Sequence, residues 1–420
     1  MSRLNLRCFG GVEGEIGGNQ FLLATDGSSL LLDFGVNLSR FGSYFKRIFS
    51  EPSSREELIR ANLIPKECAD PSFASACVLS HAHTDHWRFI NMLQSNPTAY
   101  ASPVTLKLIA AISSRYRKAG LDNYSAVKFF PLEFQKKASF GDIEFEILPV
   151  DHSIAGASAF LIHTPEGAVV YSGDFRTHGR LQPPYHFWEA VKENAEPLIA
   201  LICEGTNVGH LSVPYTEKDV ETALLAVVEK TKKLLIVDIS PEDVDRIRTI
   251  VKTAEIGKRK VVCTKRIIEV LEAISKEEHV QAPRPGVEVH KYEELKHDVL
   301  RDPSRFILCT SFYSEREIRE LQPPAGSVYV LSSSEPFEEE REVDFQRLQN
   351  WLNIFGIPIL HIHSSGHASP LAIREVVKIL NPRLFLPIHT LYPEATANLV
   401  ADLVPVLVPK RDRDHYLGVP

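Results

Sequence analysis

Apolar residues in the first third of the chain fall in short runs that glycine, aspartate or histidine closes. Residues 3–9 alternate between polar and apolar, the two-residue period of a strand with one buried face. Gly10, Gly11, Gly14, Gly17 and Gly18 break that pattern before a second apolar run at residues 21–24. Asp26-Gly27 is a hairpin signal. Residues 29–34 are too continuously apolar to be half exposed, so they predict a buried strand carrying Asp33 and Gly35 at its C-terminal end. The design recurs three times: residues 76–80 lead to His81, residues 143–150 to Asp151 and His152, and residues 168–172 to Gly173 and Asp174. Core strands that each deliver a ligand-type side chain at one end predict an α/β sandwich, helices outside, with a site gathered along one edge.

After Glu204 the texture changes. Residues 234–239, 260–263, 305–309 and 327–331 read as short apolar strands separated by helical stretches such as 243–256. That alternation predicts a small parallel-sheet domain inserted into the first. An acidic turn at Glu338, after Pro336, opens an amphipathic helix with Phe345, Leu348, Leu352 and Phe355 on one face. Its glutamates read as helix-start charges. Residues 357–361 form a strand leading into HIHSSGHASP, and residues 384–388 a last strand ending at His389. The expected division is 1–207 for the first part of the main domain, 208–355 for the insert and 356–420 for the return.

Composition sets the bounds. A chain of 420 residues, 44% hydrophobic and 24% charged, can bury a large core. The N-terminus lacks a signal-peptide core, and no apolar run reaches membrane-spanning length, so a cytoplasmic protein without a membrane partner is expected. The six cysteines form no C-x-x-C pair, which argues against disulfides and thiolate zinc and for buried free thiols. A net charge of −7 gives no global attraction to a polyanion, which would need a local basic patch or cations in the site. Arg246/Arg248, residues 258–260 and Lys265/Arg266 are candidates to flank a groove, and equally read as solvated helix faces.

Histidine changes the picture. Of sixteen, several are clustered, and His81-Ala82-His83-Thr84-Asp85-His86 sets four potential ligands within six residues after a strand. Imidazole and carboxylate donors without thiolate suit zinc or manganese in a catalytic, water-bearing site, and this spacing can feed two adjacent ions.

That run resembles the H-x-H-x-D-H signature of the metallo-β-lactamase superfamily. Asp33 in LLDFG, His152 in PVDHSIAG and Asp174 in YSGDF resemble its other motifs. Glu204 in CEGTN, His367 in SSGHAS and His389 in LPIHT are similar to the three extra motifs of the β-CASP branch, the nucleic-acid-processing nucleases such as ribonuclease J and the pre-mRNA 3′-end endonuclease. The segment SPEDVDRIRTI resembles the first helix region of the β-CASP insert. The resemblance implies an αββα metallo-β-lactamase sandwich with an inserted small parallel-sheet β-CASP domain. It implies one metal on His81, His83 and His152, a second on Asp85, His86 and His389, and Asp174 bridging, with Asp33 orienting a ligand from behind. Asp85, His367 and Glu204 would be catalytic, His367 as general acid polarised by Glu204. His363, Ser365, Gly366, Ala368 and Ser369 would cradle a phosphate. Two zinc ions, or manganese, would be the cofactors.

Three departures qualify the transfer. Trp87-Arg88 stands where many relatives carry glycine, and would either narrow the site or stack on a base and contact phosphate. The insert is compact, and the chain ends soon after His389, so dimerisation or a partner protein is not carried over. DNA-repair branches commonly lack a histidine matching His389, which tilts the substrate toward RNA. The expectation is a two-metal phosphodiesterase on single-stranded RNA, exo- or endonucleolytic, leaving a 5′-phosphate. The alternatives are a hydrolase of thioesters, lactones or small phosphodiesters on the same fold, or a DNA nuclease. A third is a non-catalytic partner subunit.

Overall fold

The structure, a computed structural model, describes residues 4–45, 51–114, 123–179, 186–193, 197–209, 215–277, 280–311, 315–333 and 339–418. Two sheets form the main body. The first runs, in spatial order, Asp414–Tyr416, Asn5–Gly10, Gln20–Ala24, Ser29–Phe34, Ala76–Val78, Thr98–Ala101 and Lys128–Pro131. The Asp26-Gly27 hairpin is present, with Thr25 N–H donating to Ser28 O at 2.9 Å. From Ser29–Phe34 onward the neighbours are parallel, and the two inner strands Ser29–Phe34 and Ala76–Val78 are apolar and buried on both faces. The second sheet runs Leu384–Ile388, Leu198–Glu204, Gly167–Tyr171, Ser158–Thr164, Ile143–Pro149 and Lys137–Phe140.

Leu6, Leu23, Leu30, Leu32 and Val78 of the first sheet pack against Phe145, Phe160, Ile162, Val169, Tyr171 and Ile202 of the second. Full burial of each such side chain is worth roughly 1.5–3 kcal/mol, so this interior is the main reason the two sheets stay face to face. Helix Pro103–Ser113 packs on the outer face of the first sheet through Val104, Leu108 and Ile112. Helices Phe187–Glu193 and Pro370–Leu380 cover the second through Phe187, Val191, Ile373 and Val377. The layers are therefore αββα, with an inserted domain.

The insertion leaves between Leu198–Glu204 and Leu384–Ile388, which pair directly in parallel, Glu204 opposite Ile388. Its six-stranded sheet is parallel throughout, in the order Val289–Lys291, Lys260–Cys263, Phe306–Thr310, Leu235–Asp238, Val328–Leu331 and Ile359–His361. Helix Val244–Ile256 starts at Asp243, whose carboxylate accepts the Arg246 amide at 3.0 Å and caps the first turn. Leu348 and Leu352 of helix Glu339–Ile354 are buried against the other face, while its expected opening at Pro336 and Glu338 lies outside the described residues. Because Ile359–His361 still pairs with Val328–Leu331, the sheet runs past the return expected at residue 356. The apolar run before His361 gave no sign of which sheet it would join. All six cysteines are buried and unpaired.

Candidate active site

Asp33 organises the site from beneath. It is fully buried, with a left-handed φ of 56° that a non-glycine residue adopts only at a cost, here met by four bonds. Its Oδ1 accepts Ser80 N–H at 2.7 Å, and its Oδ2 accepts the Ser80 hydroxyl at 2.7 Å and the Tyr171 hydroxyl at 2.5 Å. His86 Nδ1 lies 2.7 Å from the same Oδ2, an arrangement that places the ring proton on Nδ1 and turns the Nε2 lone pair toward the pocket.

The other imidazoles are held in the same way. His152 Nδ1 donates to Gly366 O at 2.5 Å, and His389 Nδ1 lies 2.8 Å from Thr206 Oγ1. The free nitrogens then converge. His83 Nδ1 is 3.0 Å from His81 Nε2 and 3.2 Å from His152 Nε2. Across the pocket, Asp85 Oδ2 is 3.6 Å from His86 Nε2 and 3.4 Å from His389 Nε2. Asp174 Oδ2 faces both groups, 3.8 Å from His81, 3.2 Å from His86 and 3.7 Å from His389. His81/His83/His152, Asp85/His86/His389 and His81/His86/Asp174 each offer donor atoms within 4.8 Å of one another, a spacing one ion can span.

Three buried atoms at this site, His86 Nε2, Asp174 Oδ1 and His367 Nδ1, have no hydrogen-bond partner. Unpaired polar atoms at such depth are rare unless something else occupies the space. Electrostatics point the same way. Burial pushes His81 and His152 well below the usual imidazole range, keeping them neutral as ligands must be. Burial would lower His86 too, but Asp174, Asp85 and Asp33 push it well above its usual value. The carboxylates thus favour a positive charge in the pocket. Donors of nitrogen and oxygen without sulfur fit zinc or manganese.

Glycines form the wall behind Asp85. Gly17, at φ 77°, leaves no room for a Cβ, which would fall 2.6 Å from Asp85 Oδ2, and a Cβ on Gly35 would fall 1.7 Å from Asp85 O. Gly18 and Asn19 donate their amides to Asp85 O, both at 3.1 Å. The glycine run, legible beforehand only as a break in the first hairpin, is therefore the seat of the histidine loop.

At the rim, His367 Nδ1 lies 3.3 Å from Glu204 Oε2 and 3.8 Å from Asp174 Oδ2. Burial would lower the His367 imidazole, but Glu204 and the aspartates raise it to about 9. Glu204 is fully buried at the end of its strand; its oxygens accept Ala368 N–H at 3.0 Å and Thr206 N–H at 3.0 Å. It is neither a helix cap nor a surface ion pair. Asn207, not anticipated from sequence, donates to Ser365 Oγ at 3.0 Å and to His367 O at 2.8 Å.

Several expected contacts are committed elsewhere. The Ala368 amide serves Glu204, the Ser369 hydroxyl caps Pro370–Leu380, and the Gly366 carbonyl orients His152. Burial and the neighbouring Arg246 push His363 down to about 3, so it brings no charge to a phosphate. Trp87 is fully buried, donating to Ala82 O at 2.9 Å and packing edge-on against Tyr124 at 5.1 Å. It braces the loop from the core and presents no stacking face, while Arg88 covers the Phe41 ring at 5.0 Å. Arg246 is buried rather than on a groove, and Asp151 turns away from the histidines to pair with Arg176. Arg259 is tied to the backbone carbonyl of Lys233, whereas Lys265 is exposed. Local sequence carries no signal for the burial of Arg246 and Asp151, because their side-chain partners lie far along the chain.

A beta-lactamase superfamily domain matches residues 53–236. The chain is 25% identical to ribonuclease J of Sinorhizobium meliloti over 75% of its own length and 57% of that protein's. It is 24% identical to ribonuclease J of Mycoplasma genitalium, covering 91% of this chain and 67% of the relative. For ribonuclease J of Methanocaldococcus jannaschii the identity is 24%, over 92% and 91% of the two chains. This chain thus spans little more than half of the first relative's length. A crystal structure of an Enterococcus faecalis protein of unknown function superposes with a TM-score of 0.78, at 23% identity, over 99% of this chain and all of the other. The fold and the histidine–aspartate pocket define a metallo-β-lactamase-type protein. Within that fold the chain is similar, over about nine-tenths of its length, to proteins named ribonuclease J. Among the described residues no helix is long and apolar enough to cross a membrane.

Proposed function

We propose that this protein is a metal-dependent phosphodiesterase that hydrolyses single-stranded RNA and leaves a 5′-phosphate. The observation that carries the reading is the pairing of two converging ligand groups, joined at Asp174, with the His367–Glu204 pair on the rim 3.8 Å from the same aspartate. His81, His83 and His152 would hold one ion, Asp85, His86 and His389 the other, and Asp174 both, with zinc favoured and manganese suited to the same donors. Bound there, two such ions supply a water activated near neutral pH and neutralise charge on the phosphoryl group.

The chain's own residues do the rest. Asp33 fixes the His86 tautomer, Gly366 O that of His152 and Thr206 that of His389, so the ligand geometry exists before substrate arrives. Glu204 keeps His367 protonated at neutral pH and aims it at the departing 3′ oxygen, where a proton is needed as the P–O bond breaks. Ser365 Oγ, half-buried and paired with Asn207, is the hydroxyl of the 363–369 loop best placed to turn to a phosphate. Relatives bearing the name ribonuclease J support RNA as the polymer.

The test is cleavage of end-labelled single-stranded RNA carrying a 5′-monophosphate, beside matched DNA, by metal-loaded protein and its His83→Ala and His367→Ala variants. Loss of RNA cleavage in both variants is expected, and product lengths separate exonuclease from endonuclease. An active metal-loaded protein that cuts neither polymer would return the site to a small-molecule hydrolase.

A further inference from the structure

Behind the site lie six charged side chains, none more than 5% exposed: Asp151, Arg176, Glu217, Asp243, Asp245 and Arg246. Arg176 divides its guanidinium among three carboxylates, reaching Asp151 at 2.8 Å, Glu217 at 3.1 Å and Asp245 at 3.0 Å. Its amide also donates to Asp151 O at 2.7 Å, which stitches the loop carrying His152 to the loop carrying Asp174. Arg246 grips Glu217 from the other side, at 2.7 Å and 3.2 Å, and donates to Ser332 O at 2.5 Å and Ser332 Oγ at 2.6 Å. Ser332 Oγ in turn donates to Ile362 O at 2.7 Å, and Ser332 O accepts from His363 Nδ1 at 3.3 Å. From His363 the chain runs to Gly366, whose carbonyl orients His152, and to His367.

The bonds close a ring: His152, Asp151, Arg176, Glu217, Arg246, Ser332, His363, Gly366 and back to His152. Helices Glu217–Lys230 and Val244–Ile256 of the inserted domain supply the middle of it. The planar fork spreads fixed donors toward a carboxylate on one side and a serine on the other, a spacing that the single ammonium of a lysine on its flexible stem does not reproduce.

We propose that Arg246 is a positioning residue. By holding Glu217 and Ser332 together it sets the separation of His152 from His367, and so ties the seat of the inserted domain to delivery of the leaving-group proton. This rests on the ribonuclease reading with His367 as acid. Misplacement by about an ångström can cost on the order of 100-fold in rate without touching the reacting atoms.

The test is Arg246→Lys, which keeps the charge and loses the fork. Two substrates are compared: a single-stranded RNA oligonucleotide, and bis(p-nitrophenyl) phosphate, whose leaving group departs without a proton. Expected for the variant are normal zinc content, a kcat on RNA lower by about 10- to 100-fold with KM within about two-fold, and aryl-diester hydrolysis within about two-fold of wild type. Glu217→Gln, which keeps a hydrogen-bonding side chain of the same shape, is expected to give the same split at smaller amplitude. Equal losses on both substrates, or no loss on either, would overturn the proposal alone. Wild-type protein that hydrolyses the aryl diester and no RNA would overturn the ribonuclease reading and the proposal together.

Discussion

Two buried charge clusters lie side by side in this protein, and they are balanced differently. In the cluster of Arg176 and Arg246 the cations are part of the chain, and each guanidinium is used by two or three partners. In the histidine pocket the carboxylates of Asp33, Asp85 and Asp174 face imidazoles, two of which burial holds neutral, and His86 Nε2 and Asp174 Oδ1 lack partners. A buried charge must be paired, and a protein can pair it with a side chain or leave room for an ion. The first choice makes a joint, and the second is the arrangement a metal centre would need.

The sharpest way to break that contrast is to remove what the pocket requires. Asp174→Asn, or exhaustive chelation, is expected to lower phosphodiester hydrolysis by at least about 1,000-fold, with far-UV circular dichroism unchanged and, after chelation, activity restored by zinc or manganese. Chelation that left turnover intact would put the chemistry elsewhere. The joint should answer to destabilisation instead. Arg176→Met removes the cation that three buried carboxylates share, Glu217 keeping Arg246, and is expected to cost about 3–5 kcal/mol, read as a lower denaturation midpoint. A midpoint unmoved by that change would mean the cluster is not structural.

A finer test uses Asp243, a carboxyl that burial and Glu217 raise to about 6 against the pull of Arg246 and Arg176. With the folded value above the unfolded one, its contribution is fully present below about pH 4 and is lost as pH rises through about 6. Asn caps a helix as well as Asp and cannot ionise, so Asp243→Asn should match wild type near pH 4 and gain on the order of 1 kcal/mol above pH 6. A gain independent of pH would contradict the shift. Smallest of all, Lys265→Ala, on an exposed lysine 3.7 Å from Glu269, should change the unfolding free energy by no more than about 0.5 kcal/mol.

These two clusters also differ in how far the sequence reveals them. His81 to His86 are neighbours on one loop, so ligand chemistry is visible as spacing, and Asp33, His152, Asp174 and His389 each close an apolar run that reads as a core strand. The alternation of strands and helices after Glu204 likewise announces a parallel sheet, because local pattern reflects burial on both faces. Arg246 reads equally as a groove cation or a solvated helix charge because nothing near it in sequence names its partners; Glu217 is 29 residues away and Ser332 is 86. Trp87 beside the ligand loop invited a functional role, yet the direction of its ring follows from packing against Tyr124, which local sequence does not encode. The glycines at 17 and 18 were readable only as turns until Asp85 was seen resting on them. Spacing exposes groups that act together on one loop, whereas partners brought together by the fold stay hidden.

The most direct measurement is elemental analysis with calorimetric titration of metal into the apoprotein, for wild type and for the His152→Ala and His389→Ala variants. About two zinc or manganese ions per chain are predicted for wild type, with each variant losing one by weakening a different ligand group. A wild-type chain that binds no metal, or two variants that both leave the stoichiometry unchanged, would contradict the account.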